Sequence, residues 1–171
     1  FIKSSRNDFE FTNNAKINSP TETYSNSQME QKGLLHELYY KITDNQIIGP
    51  QFWIQDNFRE IPPSTVSFNE NNEEYQKDSW YRWALNWNKA GSKMSYTART
   101  GTFYTKSNYF NSSIDLNSKH NSFRNISEAL ATLIFFKNQK MTLGLNNNYT
   151  VGLSENFNNT PSLNATAIYL A

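Results

Sequence analysis

Residues 141–153 alternate in side-chain character with period two and never lose phase. Met141, Leu143, Leu145, Tyr149, Val151 and Leu153 fall on one side, interrupted only by Asn147, while Thr142, Gly144, Asn146, Asn148, Thr150 and Gly152 fall on the other. Successive side chains of a strand point to opposite faces, whereas a helix would scatter these residues around its axis. The segment can therefore be ordered only as a strand with one apolar and one polar face.

The same alternation recurs. In 78–87, Tyr81, Trp83, Leu85 and Trp87 oppose Trp80, Arg82, Ala84 and Asn86, and in 94–104, Met94, Tyr96, Ala98 and Tyr104 oppose Ser95, Thr97, Arg99 and Gly101. Residues 8–17 and 34–42 follow suit, 123–136 does so less cleanly, and a last strand starts near Leu163. That makes about seven strands. Several exceed the ~9–11 residues a tilted strand needs to cross a bilayer, against ~5–6 in ordinary sheets. The connections alternate between tight turns, at 18–21, 88–91 and 137–140, and longer stretches at 44–77, 111–121 and 155–162. Outer-membrane barrels have short periplasmic turns and longer outer loops, which puts 44–77, 111–121 and 155–162 outside the cell.

Composition agrees with this reading. Apolar residues make up only 37% of the chain, yet 15% of residues are aromatic, too few aliphatics for a conventional core around so many rings. A membrane barrel needs one apolar face per strand, a polar lumen and two aromatic girdles. There is no apolar stretch of the ~18 residues that a transmembrane helix needs. Cysteine is absent, and 16 basic residues balance 15 acidic ones to a net charge of +1. No disulfide scaffold, thiolate metal site or nucleic-acid-binding patch is expected. His36 and His120 are the only histidines, and no serine has a nucleophile's sequence context. No catalytic residue, metal or cofactor is therefore expected, and the chain is not read as an enzyme. Both termini fall within strand-like or irregular sequence, so these 171 residues are expected to belong to a longer polypeptide, as a partial barrel domain over 1–171.

Particular stretches carry a resemblance. Glu37-Leu38-Tyr39-Tyr40-Lys41 leads to Arg59-Glu60-Ile61-Pro62-Pro63-Ser64. Gln76-Lys77-Asp78-Ser79-Trp80-Tyr81-Arg82-Trp83-Ala84-Leu85-Asn86-Trp87 and Ala98-Arg99-Thr100-Gly101-Thr102-Phe103-Tyr104 follow. This pattern, best between Gly33 and Phe110, resembles the barrel of TonB-dependent outer-membrane receptors of Bacteroidota, in the branch similar to vitamin B12 (cobalamin) receptors. The resemblance implies an antiparallel transmembrane β-barrel, with the strands here forming part of a larger barrel of 22. It also implies a plug and a TonB-binding segment, neither recognisable in this chain. TonB would thus be engaged through a region outside these residues.

The expected function is uptake of a small-molecule nutrient, a corrinoid or siderophore-like ligand, across the bacterial outer membrane. Outer-membrane lipid is the expected surroundings, a surface lipoprotein an expected neighbour, and nucleic acid is not an expected partner. Phe52, Trp53, Phe58 and Arg59 are ligand-contact candidates on the long loop, as aromatic and Arg side chains on a loop held by a rigid wall. Glu37, Arg82, Arg99, Arg124 and Glu128 are expected on the lumen side, since an Arg or Lys facing lipid at mid-membrane costs ~2–4 kcal/mol. Tyr81, Trp83, Trp87 and Tyr149 are expected at the lipid face and its interfaces. The glutamates within 69–74 read as a solvated acidic loop. Two other readings stay open: a barrel anchoring a larger envelope complex, and a soluble β-sandwich binding module.

Overall fold

The computed structural model describes all residues except 64–72, 137–138 and 155–157. The strands are β1 (Ile2–Arg6), β2 (Phe9–Thr12), β3 (Thr21–Tyr24), β4 (Gln28–Glu37), β5 (Tyr40–Thr43) and β6 (Gln46–Glu60). They continue with β7 (Glu74–Lys89), β8 (Met94–Asn111), β9 (Leu116–Phe136), β10 (Gln139–Ser154) and β11 (Ser162–Leu170), with a single 3-10 turn at Ser112–Ile114. The fold is all-β. One sheet runs β1-β4-β6-β7-β8-β9-β10-β11, with β5 prolonging β4 along β6, and β2 and β3 form a separate hairpin. Every pairing is antiparallel. The strand order does not return to β1, so the main sheet is open among the described residues, with β1 and β11 at its edges.

The main sheet is a single layer. Substantial strand contacts run only between hydrogen-bonded neighbours, and among the described residues no hydrophobic side chain is buried. A sandwich needs a second sheet packed face to face on the first; none packs here among the described residues.

Four expectations change. First, 44–77 is not one loop: β6 fills Gln46–Glu60 and pairs with β7 from Gln46↔Lys89 to Glu60↔Tyr75. The strand escapes a search for alternation because apolar residues stand on both of its faces, Ile47 and Trp53 on one, Ile48, Phe52 and Ile54 on the other. Gly49-Pro50 also imitates a turn signal. Second, 111–121 shrinks to 112–115, because β9 already starts at Leu116. This connection is no longer than the turn at 90–93, so the short–long alternation fails there. Third, 8–17 is not one strand. Ile2–Arg6 joins the main sheet, Phe9–Thr12 pairs with Thr21–Tyr24, and Ala15 and Ile17 lie in the turn between. Asn18 and Ser19 take positive φ of 65° and 43°, and Asn13 Oδ1 accepts from the Ala15 amide at 3.1 Å. These are turn-building habits of Asn and Ser. Fourth, counting β4 with β5, the main sheet has eight lanes rather than seven. Ser64, Glu70, Lys137, Asn138 and the start of 155–162 lie outside the described residues.

The break between β4 and β5 has a single cause. Both strands hold one register on β6, Glu37↔Gln51 before the break and Tyr40↔Ile48 after it. Between them Leu38 donates its amide to the Pro50 carbonyl at 3.0 Å. Proline has no N–H to return the bond, so the ladder lapses for one step.

Candidate functional site

Antiparallel register puts directly opposed residues on the same face. Applied across β4–β11, it sorts the sheet into two chemically distinct sides.

One side carries an apolar band. Its rows run Ile48–Trp87–Ala98–Ala129–Leu145–Ile168 and Ile54–Tyr81–Tyr104–Phe123–Val151. Phe52 and Trp83 lie between these rows, and Leu143 and Leu170 prolong the band toward the turns. Aromatic residues mark both limits. Trp87 stacks on Tyr96 at 6.4 Å, and Tyr81 meets Tyr104 at 6.1 Å. Trp87 lies six strand positions from Tyr81, a rise of ~20 Å, close to the ~25 Å apolar band of a membrane barrel. Beyond Tyr81 the same face turns polar, with Asp56, Ser79, Lys106 and Asn121 on one register row.

The middle of this band holds polar side chains that satisfy one another. Thr100 and Ser127 share a hydroxyl bond of 2.9 Å, Asn125 Nδ2 donates to Thr102 Oγ1 at 2.9 Å, and Ser127 donates to Asn125 Oδ1 at 2.9 Å. Asn147 donates to Asn164 at 2.7 Å and to Thr166 at 2.8 Å. Such closure is what a polar group needs where water is absent.

The opposite side is polar and charged. Arg99 and Glu128 are directly opposed and 3.9 Å apart, and Tyr169 donates to Glu128 Oε1 at 3.1 Å. Arg124 Nε donates to Asn148 Oδ1 at 3.1 Å. The Arg82 guanidinium lies over Trp53 at 4.6 Å and over Trp80 at 4.9 Å, a favourable placement of a cation on π faces. Glu37 opposes Gln51 on this side. Farther along, Ser107 donates to Asp78 Oδ1 at 2.7 Å, and Gln76 Nε2 donates to Asp78 Oδ2 at 3.0 Å. Aromatic rings also cover glycines on this face. A Cβ on Gly144 would lie 2.1 Å from the Tyr169 ring, and one on Gly33 2.7 Å from the Phe1 ring.

The structure thus brings Glu37, Arg82, Arg99, Arg124 and Glu128 onto one face and Tyr81, Trp83, Trp87 and Tyr149 onto the other. It does not bring the four ligand-contact candidates together. Phe52 and Phe58 share the apolar-band side, whereas Trp53 and Arg59 point to the polar side, and all four belong to β6 rather than to a loop. The hydrogen-bonded Thr–Asn–Ser cluster went unforeseen. Its only sequence signal is polar residues at apolar phase, such as Asn147, which read as breaks. Among the described residues no group of histidine, aspartate and glutamate side chains is arranged to hold a metal ion. No protein-family model matches the chain, and no curated protein matches it either.

Proposed function

We propose that this sheet is a section of the wall of a bacterial outer-membrane β-barrel, with the apolar band against lipid and the polar face toward a water-filled lumen. One observation carries the reading: a tall apolar face bounded by aromatic rings, in a chain with no buried hydrophobic residue among those described. Lipid is the cover that such a face fits, and two unpaired edges fit a sheet continued by further strands. We further propose that the barrel belongs to a TonB-dependent receptor taking up a small nutrient of the corrinoid or siderophore type. Support for this second step is the sequence resemblance over Gly33 to Phe110. In this reading Glu37, Arg82, Arg99, Arg124 and Glu128 line the lumen with Trp53 and Arg59, and Phe52 and Phe58 face outward.

Paired substitutions in the full-length protein test the wall. Leu85→Lys and Leu145→Lys should each cost ~2–4 kcal/mol of folding into bilayers, whereas Asn86→Lys and Asn146→Lys, on the other face, should cost far less. Equal losses on the two faces would overturn the membrane reading. Uptake of a labelled corrinoid by cells making the full-length protein, abolished when TonB is removed, is the result expected of a receptor. A protein that inserts but supports no TonB-dependent uptake of corrinoids or siderophores would leave the wall standing and sink the receptor.

A further inference from the structure

Just past the aromatic limit of the band, on the same face, β7, β8 and β9 carry only positive charge, and Lys77 at its outer end also borders a depression with Glu60, Glu73 and Glu74. Lys77, Asn108 and Lys119 lie on one register row of β7, β8 and β9. Lys106 stands on the next row, between Ser79 and Asn121. Adjacent positions of this kind are ~5–7 Å apart, so Lys106 and Lys119 flank Asn108, while the Lys77 ammonium leans outward from it, over Tyr75 and Phe58. No residue of β7, β8 or β9 on this face is a carboxylate. No ion pair among the described residues involves Lys77, Lys106 or Lys119. On β4 and β6 the matching heights are instead balanced, with Lys32 3.7 Å from Glu30 and directly opposite Asp56.

Two of the three lysines also rest against aromatic rings. Lys77 Nζ lies 4.7 Å from the Tyr75 ring centre and 5.5 Å from that of Phe58, and Lys106 Nζ lies 5.7 Å from Tyr104 and 6.0 Å from Tyr81. Lys106, Asn108, Lys119, Asn121 and Leu153 border an open depression of about 410 Å³. Asn108 Oδ1 is shielded from solvent there and has no hydrogen-bond partner.

We propose that this is a docking site for a lipid with phosphate in its head group, the phosphate set between Lys106 and Lys119 with Lys77 on its outer side, and the acyl chains laid along the band below. The inference rests on the membrane-wall reading. Charge complementarity chooses the head group, and unbroken continuity with the band through Tyr104, Phe123 and Val151 chooses a lipid over a soluble anion.

The test uses the full-length protein extracted from outer membranes in mild detergent, with native mass spectrometry and phosphorus analysis. The wild type should retain a phosphate-bearing lipid. The combined K77Q, K106Q and K119Q variant should retain it at least ~10-fold less, and K32Q should match the wild type. Equal retention by the triple variant, or none by the wild type, would overturn the proposal. So would inorganic phosphate alone binding the wild type as tightly as the lipid, since that describes a free-anion site. Heat-modifiable gel mobility reports barrel folding independently, so loss of the wall reading and loss of the lipid site are distinguishable. Should the triple variant not fold, K106Q and K119Q singly carry the same comparison.

Discussion

Tyr169 on the edge strand does more than pack. Its ring covers Gly144 of β10, and its hydroxyl reaches Glu128 of β9, which in turn faces Arg99 of β8. One side chain thereby ties four neighbouring strands into a single register. Gly144→Ala must displace the ring and should cost ~1–3 kcal/mol, the usual penalty of overpacking. Combined with Tyr169→Ala the cost should fall below the sum of the singles, as a double-mutant cycle on unfolding in detergent would reveal. Glu22, in the β2–β3 hairpin, makes a different point. A hydrogen bond from Asn13 Nδ2 at 2.8 Å, then the Lys16 ammonium at 2.7 Å, hold its carboxyl below the usual value of 4.5. A depressed folded value means that the bond supports the hairpin above the ordinary carboxylate range and is lost as pH falls through the lowered one. The Glu22 side-chain resonance should therefore titrate below that of an unstructured glutamate, and Asn13→Ala should move it back up.

At the level of the strand, Pro50 is the informative position. Pro50→Val returns an N–H opposite Leu38, whose carbonyl can accept it. The amide at 50 should then resist hydrogen exchange, and stability should gain about 1 kcal/mol at most. Leucine or valine there would also have removed the false turn signal of Gly49-Pro50. Alternation was legible wherever one face met the band and the other did not, as in 78–87 and 141–153, and the partition of Arg82, Arg99 and Arg124 from Trp83 and Trp87 could be read from phase alone. It was illegible where the two faces are alike. Beyond the band both sides of β9 are polar over 117–122, so Asn117, Ser118, Lys119 and His120 look like a loop although they pair with Asn108, Ser107 and their neighbours. Along β6 both sides carry apolar residues, with the same result. The lysine trio lies in that unreadable zone, because its members come together only through register.

The whole molecule has its greasy surface outside. A sheet whose hydrophobic residues are all at least partly exposed cannot be stable as a bare layer in water, since association removes apolar area at ~25 cal/mol per Å². The chain should aggregate when refolded from urea into buffer and gain ordered β-structure when refolded into detergent micelles or bilayers, as circular dichroism would register. Soluble, monodisperse folding without amphiphile would contradict this. Because each strand packs mainly on the two beside it, with Tyr169 reaching across β10 to Glu128 as an exception, the energetics of the sheet are close to a chain of nearest-neighbour terms. Substitutions in β4 and in β10 should add to within ~0.3–0.5 kcal/mol. A lineage built on such a sheet can gain or lose a whole hairpin while every distant contact stays as it was, so its width is free to drift while the chemistry of each strand is selected almost alone.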